Sequence, residues 1–217
     1  MCKRLKCFSS VTSTASSTER LPTPRDEAIG ESMDGTSSSF DINSIHNSIT
    51  ILHCNIRSLN ANVGELQHRV NTLKPTLFAL NETWLDASHP DVPIDGYTMI
   101  TRRDRSLKAN RGGVALYAKT ELNCTVSLES SKVAELSWAV VHTNIGPILC
   151  GIWYRAKNDK EAITAFEREW AFHSRNAIGS IIIDDLNIRH KKWLHHSSEN
   201  SADGEILQSF CQSYGFS

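Results

Sequence analysis

The chain has 217 residues with a formal net charge of -1, hydrophobic types at 40% and charged types at 22%, so one packed domain with some unpacked sequence is predicted. With a sequence pI of about 6.7, the molecule as a whole has no field to attract nucleic acid, and any contact with it needs a local basic patch. No run approaches the roughly 20 apolar residues of a membrane helix, and no secretory signal opens the chain.

Met1 to Asn47 is rich in Ser and Thr, holds Pro22 and Pro24 and shows no sustained apolar period. It cannot bury enough surface to offset its ordering entropy, so residues 1–48 are read as a disordered arm. Its first twenty residues weakly resemble a mitochondrial transit peptide. Cys2, Cys7, Cys54, Cys124, Cys150 and Cys211 lack the close pairs of a zinc site or a disulfide framework and read as reduced thiols in an intracellular protein. The sequons at Asn81 and Asn123 carry no weight without a secretory signal.

From Ile49 the pattern alternates. Ile49 to Cys54 reads as a strand ending at Asn55, and Val63, Leu66, Val70 and Leu73 follow at helical spacing until Pro75. Leu77 to Leu80 is a second buried strand that runs straight into Asn81 and Glu82. Tyr97 to Thr101, Val114 to Tyr117, Leu136 to Val141 and Ile148 to Tyr154 are strands without intervening helices, which predicts antiparallel pairing. A helix through Ala162, Phe166 and Trp170 precedes the apolar strand Ile181 to Ile183, then Asp184-Asp185-Leu186-Asn187, and Leu207 and Phe210 mark a last helix.

Asn55, Glu82, Tyr154 and the Asp185/Asn187 pair each close a buried strand. Strand ends converge on one rim of a sheet, where sites are commonly built. A carboxylate beside an amide oxygen is a hard oxygen set, suited to Mg²⁺ rather than zinc.

Five pieces stand in order: His53-Cys-Asn55-Ile-Arg57-Ser-Leu59, Leu80-Asn-Glu82-Thr-Trp84-Leu85, Arg111-Gly-Gly-Val-Ala-Leu-Tyr117, Trp153-Tyr154-Arg155 and Asp185-Leu-Asn187-Ile-Arg189-His190-Lys-Lys-Trp193. Together they resemble the signature blocks of the endonuclease/exonuclease/phosphatase family, in the branch of the DNA-nicking endonucleases of non-LTR retrotransposons. The resemblance spans residues 49–217. It implies an α/β fold, a four-layer sandwich of two packed mixed β-sheets flanked by helices, incomplete on the C-terminal side.

The same resemblance implies that Glu82 binds Mg²⁺, or Mn²⁺ in its place, with Asn55 in the metal and water network. Tyr154 would bond the scissile phosphate, Asp185 would align or deprotonate the attacking water, and Asn187 would fix that carboxylate. Arg57, Arg111, Arg189 and His190 are the candidates to touch nucleic acid. DNA would be the substrate, a downstream reverse transcriptase the companion domain, and the nucleus the place of action.

Three departures stand beside the matches, the first being Arg57, two after Asn55, where many family members carry an acidic or amide residue. The family's Gly-Asp-Phe-Asn block appears as Asp184-Asp185-Leu186-Asn187. Nothing between Asp203 and Ser217 matches the family's Ser-Asp-His segment, which implies a truncated or decayed element. The alternatives are therefore an inactive remnant that at most binds nucleic acid, and a phosphatase of small-molecule or lipid phosphates. His190, His195 and His196 otherwise read as surface histidines, and the basic stretch from Arg102 to Arg111 reads either as a solvated face or as a grip on the DNA backbone. Trp84 and Trp193 read as packing residues next to the site.

Overall fold

The structure is a computed structural model describing residues 7–9, 49–104, 111–128, 130, 134–156, 159, 161–192, 194 and 197–216. The arm expected over 1–48 lies outside the described residues except for Cys7–Ser9. That segment forms β1, antiparallel to β2, an edge strand that composition did not announce.

After β1 come β2 (Ile51–Asn55), α1 (Leu59–Leu73), β3 (Leu77–Asn81), β4 (Tyr97–Arg103), β5 (Val114–Lys119), β6 (Cys124–Leu128), β7 (Glu135–Thr143) and β8 (Gly146–Tyr154). Then follow α2 (Glu161–His173), β9 (Gly179–Asp185) and α3 (Ala202–Tyr214). One sheet has the order β1-β2-β3-β5-β4, the other β6-β7-β8-β9. Each is mixed: β2 and β3 are parallel across α1, β8 and β9 are parallel across α2, and the other neighbours are antiparallel. The antiparallel pairing predicted for the middle strands is observed.

Strand alternation sorts the apolar residues into layers. Leu52, Cys54, Phe78, Leu80 and Tyr117 face α1, where Leu59, Leu66 and Val70 cover them. Leu77, Ala79, Val114 and Leu116 point the other way, onto Ala139, Val141, Cys150, Ile152 and Ile183 of the second sheet. The outer face of that sheet carries Leu136, Trp138, Leu149 and Trp153 under α2 and α3. Phe166 of α2 stacks on Trp153 with ring centroids 4.5 Å apart and meets Phe210 of α3 edge-on at 5.3 Å. Each such buried aromatic contributes about 1.5–3 kcal/mol.

The layers are thus α1, sheet, sheet, and α2 with α3, the predicted four-layer α/β sandwich. Among the described residues Cys54, Cys124, Cys150 and Cys211 form no disulfide, and burial pushes the Cys150 thiol up to about 12. No described helix is long and apolar enough to cross a membrane.

Helix α1 starts earlier than its apolar period suggests because the loop before it is fixed by polar groups. Ser58 caps it, accepting from Ala61 N–H at 3.4 Å, and the Asn62 amide donates to the carbonyls of Ile56, Arg57 and Ser58 at 2.9, 3.1 and 3.1 Å. These bonds hold Arg57 and Ser58 at positive φ, 48° and 84°, directly after Asn55.

Candidate active site

The carboxyl ends of the two parallel pairs lie against one another. Asn55 closes β2, Glu82 follows β3, Tyr154 closes β8 and Asp185 closes β9; in the sheet register Tyr154 stands opposite Asp185. A parallel crossover returns each strand in the same direction, so two such units packed face to face bring four strand ends to one rim.

Two side chains join the sheets there, Asn55 and Tyr154. The Asn55 Nδ2 donates to Glu82 Oε1 at 3.3 Å and to Asp185 Oδ2 at 3.0 Å. Tyr154 OH donates to the same Glu82 oxygen at a long 3.4 Å. Two carboxylates, acceptors only, fix which end of the Asn55 amide faces them. Its Oδ1 is left buried without a hydrogen-bond partner among the described residues, an exception to the rule that buried polar atoms are paired.

Below the cluster a second amide staples the sheets. Asn81 is fully buried; its Nδ2 donates to the Trp153 carbonyl at 2.9 Å, and its Oδ1 lies 2.7 Å from His53 Nε2. Because the Asn81 oxygen is the acceptor, His53 carries its proton on Nε2. Burial lowers the His53 pKa from its ordinary value, against the Asn81 bond and the Asp185 charge that raise it. His53 therefore stands neutral beneath the carboxylates.

Backbone strain collects at the same rim. Glu82 and Trp84 both have φ 56° and Asn187 has φ 51°, left-handed values that side chains rarely adopt. Glu82 is held there because β2 and β3 keep bonding past their ends: Ile56 N–H to Asn81 O, Ser58 N–H to Glu82 O and Leu59 N–H to Thr83 O, each 2.9 Å. On the other side Trp84 N–H donates to Gly112 O at 2.9 Å. Gly113, at φ 84°, passes so close that a Cβ would meet Thr83 Oγ1 at 2.5 Å, and its N–H donates to Glu135 at 2.8 Å. The glycine pair before β5 is a close-approach device for the loop carrying Glu82.

On the second sheet the turn Asp185-Leu186-Asn187 is held by Arg155. Its N–H donates to Asp185 O at 3.1 Å, its Nη1 donates to Leu186 O at 3.3 Å, and its carbonyl accepts from Asn187 Nδ2 at 2.9 Å. The guanidinium is 1% exposed and ion-paired with Asp203. Asn187 therefore spends its amide on the Arg155 backbone, not on the Asp185 carboxylate expected for it. Asp184 points away from the cluster, toward Cys211 of α3. Burial first, and the Asp185 charge second, push its carboxyl up to about 7. The extra acid in the sequence block thus does not enter the site.

The candidates for nucleic-acid contact divide. Arg57 is exposed on the loop after Asn55, and Arg111 is exposed with its guanidinium 5.7 Å from the centroid of the Trp84 ring. Arg189 pairs with Glu199. His190 is buried, its Nε2 3.3 Å from Glu205 and its Nδ1 accepting from Lys192 N–H at 3.2 Å. That placement corrects its reading as a surface histidine reaching nucleic acid, because Glu205 of α3 covers it. Within the basic stretch, Arg102 is engaged with Asp91 and Asp104 at 3.0 and 2.8 Å; Arg105 and Lys108 lie outside the described residues, as do Trp193, His195 and His196.

Among the described residues no three His, Cys, Asp or Glu side chains gather as a metal-ligand group. The donor set that is present, two carboxylates and the unpaired Asn55 Oδ1, consists of hard oxygens and fits Mg²⁺ or Mn²⁺. Sequence reasoning missed His53, Asn81 and Arg155. Alternation offers a signal for Asn81, which falls on the inward side of an apolar strand, but none announces that Arg155 is buried.

No protein-family model and no curated protein matches this chain in sequence. In three dimensions it is similar to the endonuclease domain of TRAS1, a telomere-specific non-LTR retrotransposon, at a TM-score of 0.56 and 14% identity, over 76% of this chain and 70% of that one. It is similar to the AP endonuclease LMAP from Leishmania major at 0.56 and 16%, over 75% and 65%. The mannosyl-6-phosphatase Bt3783 of Bacteroides thetaiotaomicron matches at 0.53 and 14%, over 75% and 71%.

Proposed function

We propose, for a chain that has the endonuclease/exonuclease/phosphatase fold, that the strand-end cluster hydrolyses phosphodiesters with a divalent cation and that its substrate is DNA, nicked as by the non-LTR retrotransposon endonuclease it resembles. The observation that carries this reading is the Asn55 amide, which ties Glu82 to Asp185 across the two sheets and leaves its own oxygen unpaired. A phosphodiester needs hard-cation chemistry and a water-activating base side by side, and this is such a juxtaposition.

Glu82 and the Asn55 oxygen would hold Mg²⁺ or Mn²⁺, which when bound neutralises charge developing on the phosphoryl and leaving oxygens. Asp185 accepts the proton of the attacking water, and the Asn55 N–H groups keep its carboxylate aimed. Tyr154 offers its hydroxyl to a phosphoryl oxygen. Asn187 holds the turn through Arg155. Arg57 and Arg111, exposed beside the rim, supply the local positive charge that the net charge of -1 does not. The reading goes with a parent element that encodes a reverse transcriptase downstream and acts in the nucleus.

Nicking of supercoiled plasmid by this chain in Mg²⁺ tests it. Wild type nicks, and Glu82→Ala and Asp185→Ala each lose activity by roughly 10²–10⁴-fold, the range of general acid–base and electrostatic contributions. Equal behaviour of all three, active or inactive, sinks the proposal. Turnover of a small phosphomonoester with plasmid untouched moves the activity to the phosphatase reading.

A further inference from the structure

The turn that carries Asp185 is bonded to a residue whose side chain is buried. Arg155 meets three consecutive residues of the Asp185–Asn187 turn with three different groups: backbone N–H to Asp185, guanidinium to Leu186, backbone carbonyl to Asn187. Two of these contacts belong to any residue at the position. The third needs a long side chain with several donors, and the guanidinium also donates from Nε to Asp159 O at 2.8 Å and pairs with Asp203. A fully buried cation is costly unless its donors are met, and here carbonyls from two loops and a carboxylate give each of its three nitrogens a partner.

Asp203 lies in the first turn of α3, and the same helix start grips the chain beyond the turn. Ser201 Oγ caps α3, accepting from Gly204 N–H at 3.1 Å, and also accepts from Arg189 N–H at 3.2 Å; Ser201 N–H donates to Arg189 O at 2.8 Å. Gly204 packs so tightly there that a Cβ would meet Arg189 O at 2.3 Å. The stretch from Asp185 to Arg189 is thus clamped at its start by Arg155 and at its end by Ser201 and Gly204.

We propose that Arg155 and Asp203 are positioning residues for the reaction: their buried ion pair locks the start of α3 to the Asp185–Asn187 turn and so sets the aim of the Asp185 carboxylate. The proposal rests on the phosphodiesterase reading for its activity consequence, whereas the clamp itself is a property of the fold. Arg155 touches no reacting atom. It acts through the Leu186 carbonyl and the path of the turn.

The test uses Arg155→Met and the double variant Arg155→Met/Asp203→Leu. The single variant leaves the part-buried Asp203 carboxylate without its cation and loses stability, whereas the double variant replaces the pair by apolar groups and recovers it, as buried ion pairs commonly allow. Both lack the bond to Leu186. Both should nick DNA about 10²-fold more slowly at an unchanged KM, the cost of about 1 Å of misplacement. Amide exchange over residues 186–190 should quicken in both, while that of β9 stays slow in the double variant. Recovery of kcat along with stability in the double variant would reduce Arg155 to a stability role and overturn the proposal, as would unchanged exchange over 186–190. If wild type itself does not nick, the functional reading fails, and the exchange experiment still decides the clamp.

Discussion

In the first crossover, β2–α1–β3, Asn55 and Glu82 are held by neutral groups: three backbone bonds beyond the strand ends, the Asn62 side-chain amide on three carbonyls, and the close approach of Gly113. In the second, β8–α2–β9, the Asp185 turn is held by the Arg155 main chain and also by a charged side chain, the Arg155 guanidinium paired with Asp203. The topology is the same and the chemistry of support differs. Neutral support does not titrate, whereas charged support is sensitive to pH and to the loss of either partner. On the proposed function, the half that would hold the cation is therefore indifferent to pH in its supports, and the half that would activate water is the one that conditions can tune.

The largest stability effect is expected on the charged side. The Asp184 carboxyl is pushed up to about 7 in the fold, above its unfolded value, so the native state binds more protons between the two values. Stability contributed by its protonated form is complete at acid pH, falls as pH rises through about 7 and is absent above it. At about 1.4 kcal/mol per pKa unit the fall amounts to at most about 4 kcal/mol. Urea unfolding at pH 5 and pH 8 should show it in wild type and not in Asp184→Asn; equal slopes in the two proteins would contradict the burial argument.

The staple between the halves comes next. Asn81→Leu keeps the volume but takes one donor from the Trp153 carbonyl, at about 1 kcal/mol, and strands the His53 N–H, at about 1–3 kcal/mol. Denaturation midpoints measure this directly. A variant as stable as wild type would mean that the sheets do not need the amide.

On the neutral side a smaller loss is expected from Gly113→Ala, about 1–3 kcal/mol in all, because an alanine there must both adopt positive φ and displace Thr83. Nicking should fall with it, since Thr83 follows Glu82. A stable variant with full activity would show that the Glu82 loop tolerates movement and would weaken the contrast between the halves.

Much of this was legible in the sequence because strand ends are a local signal. A short apolar run that stops at Asn55, Glu82, Tyr154 or Asp185 marks both the strand and the place where its last side chain emerges, and the five ordered blocks anticipated the sandwich. The buried supports were not legible. Arg155 carried no role of its own in the sequence and His190 read as a surface histidine; α3, arriving from Ser201 onward with Asp203 and Glu205, meets both. Asn187 was assigned to Asp185, but the left-handed turn sends its amide to the Arg155 carbonyl instead. Roles that depend on which distant element covers a residue are set by tertiary contact, and no window of sequence holds them.

The unpaired Asn55 oxygen is the point at which the whole account can be tested. Nicking rate measured against Mg²⁺ concentration for wild type and Asn55→Leu should give a saturable cation dependence in wild type and a midpoint shifted at least about tenfold upward in the variant, since a ligand and the bridge to Asp185 are both lost. Cation-independent nicking, or identical midpoints in the two proteins, would contradict the assignment of this cluster as the cation-dependent catalytic centre.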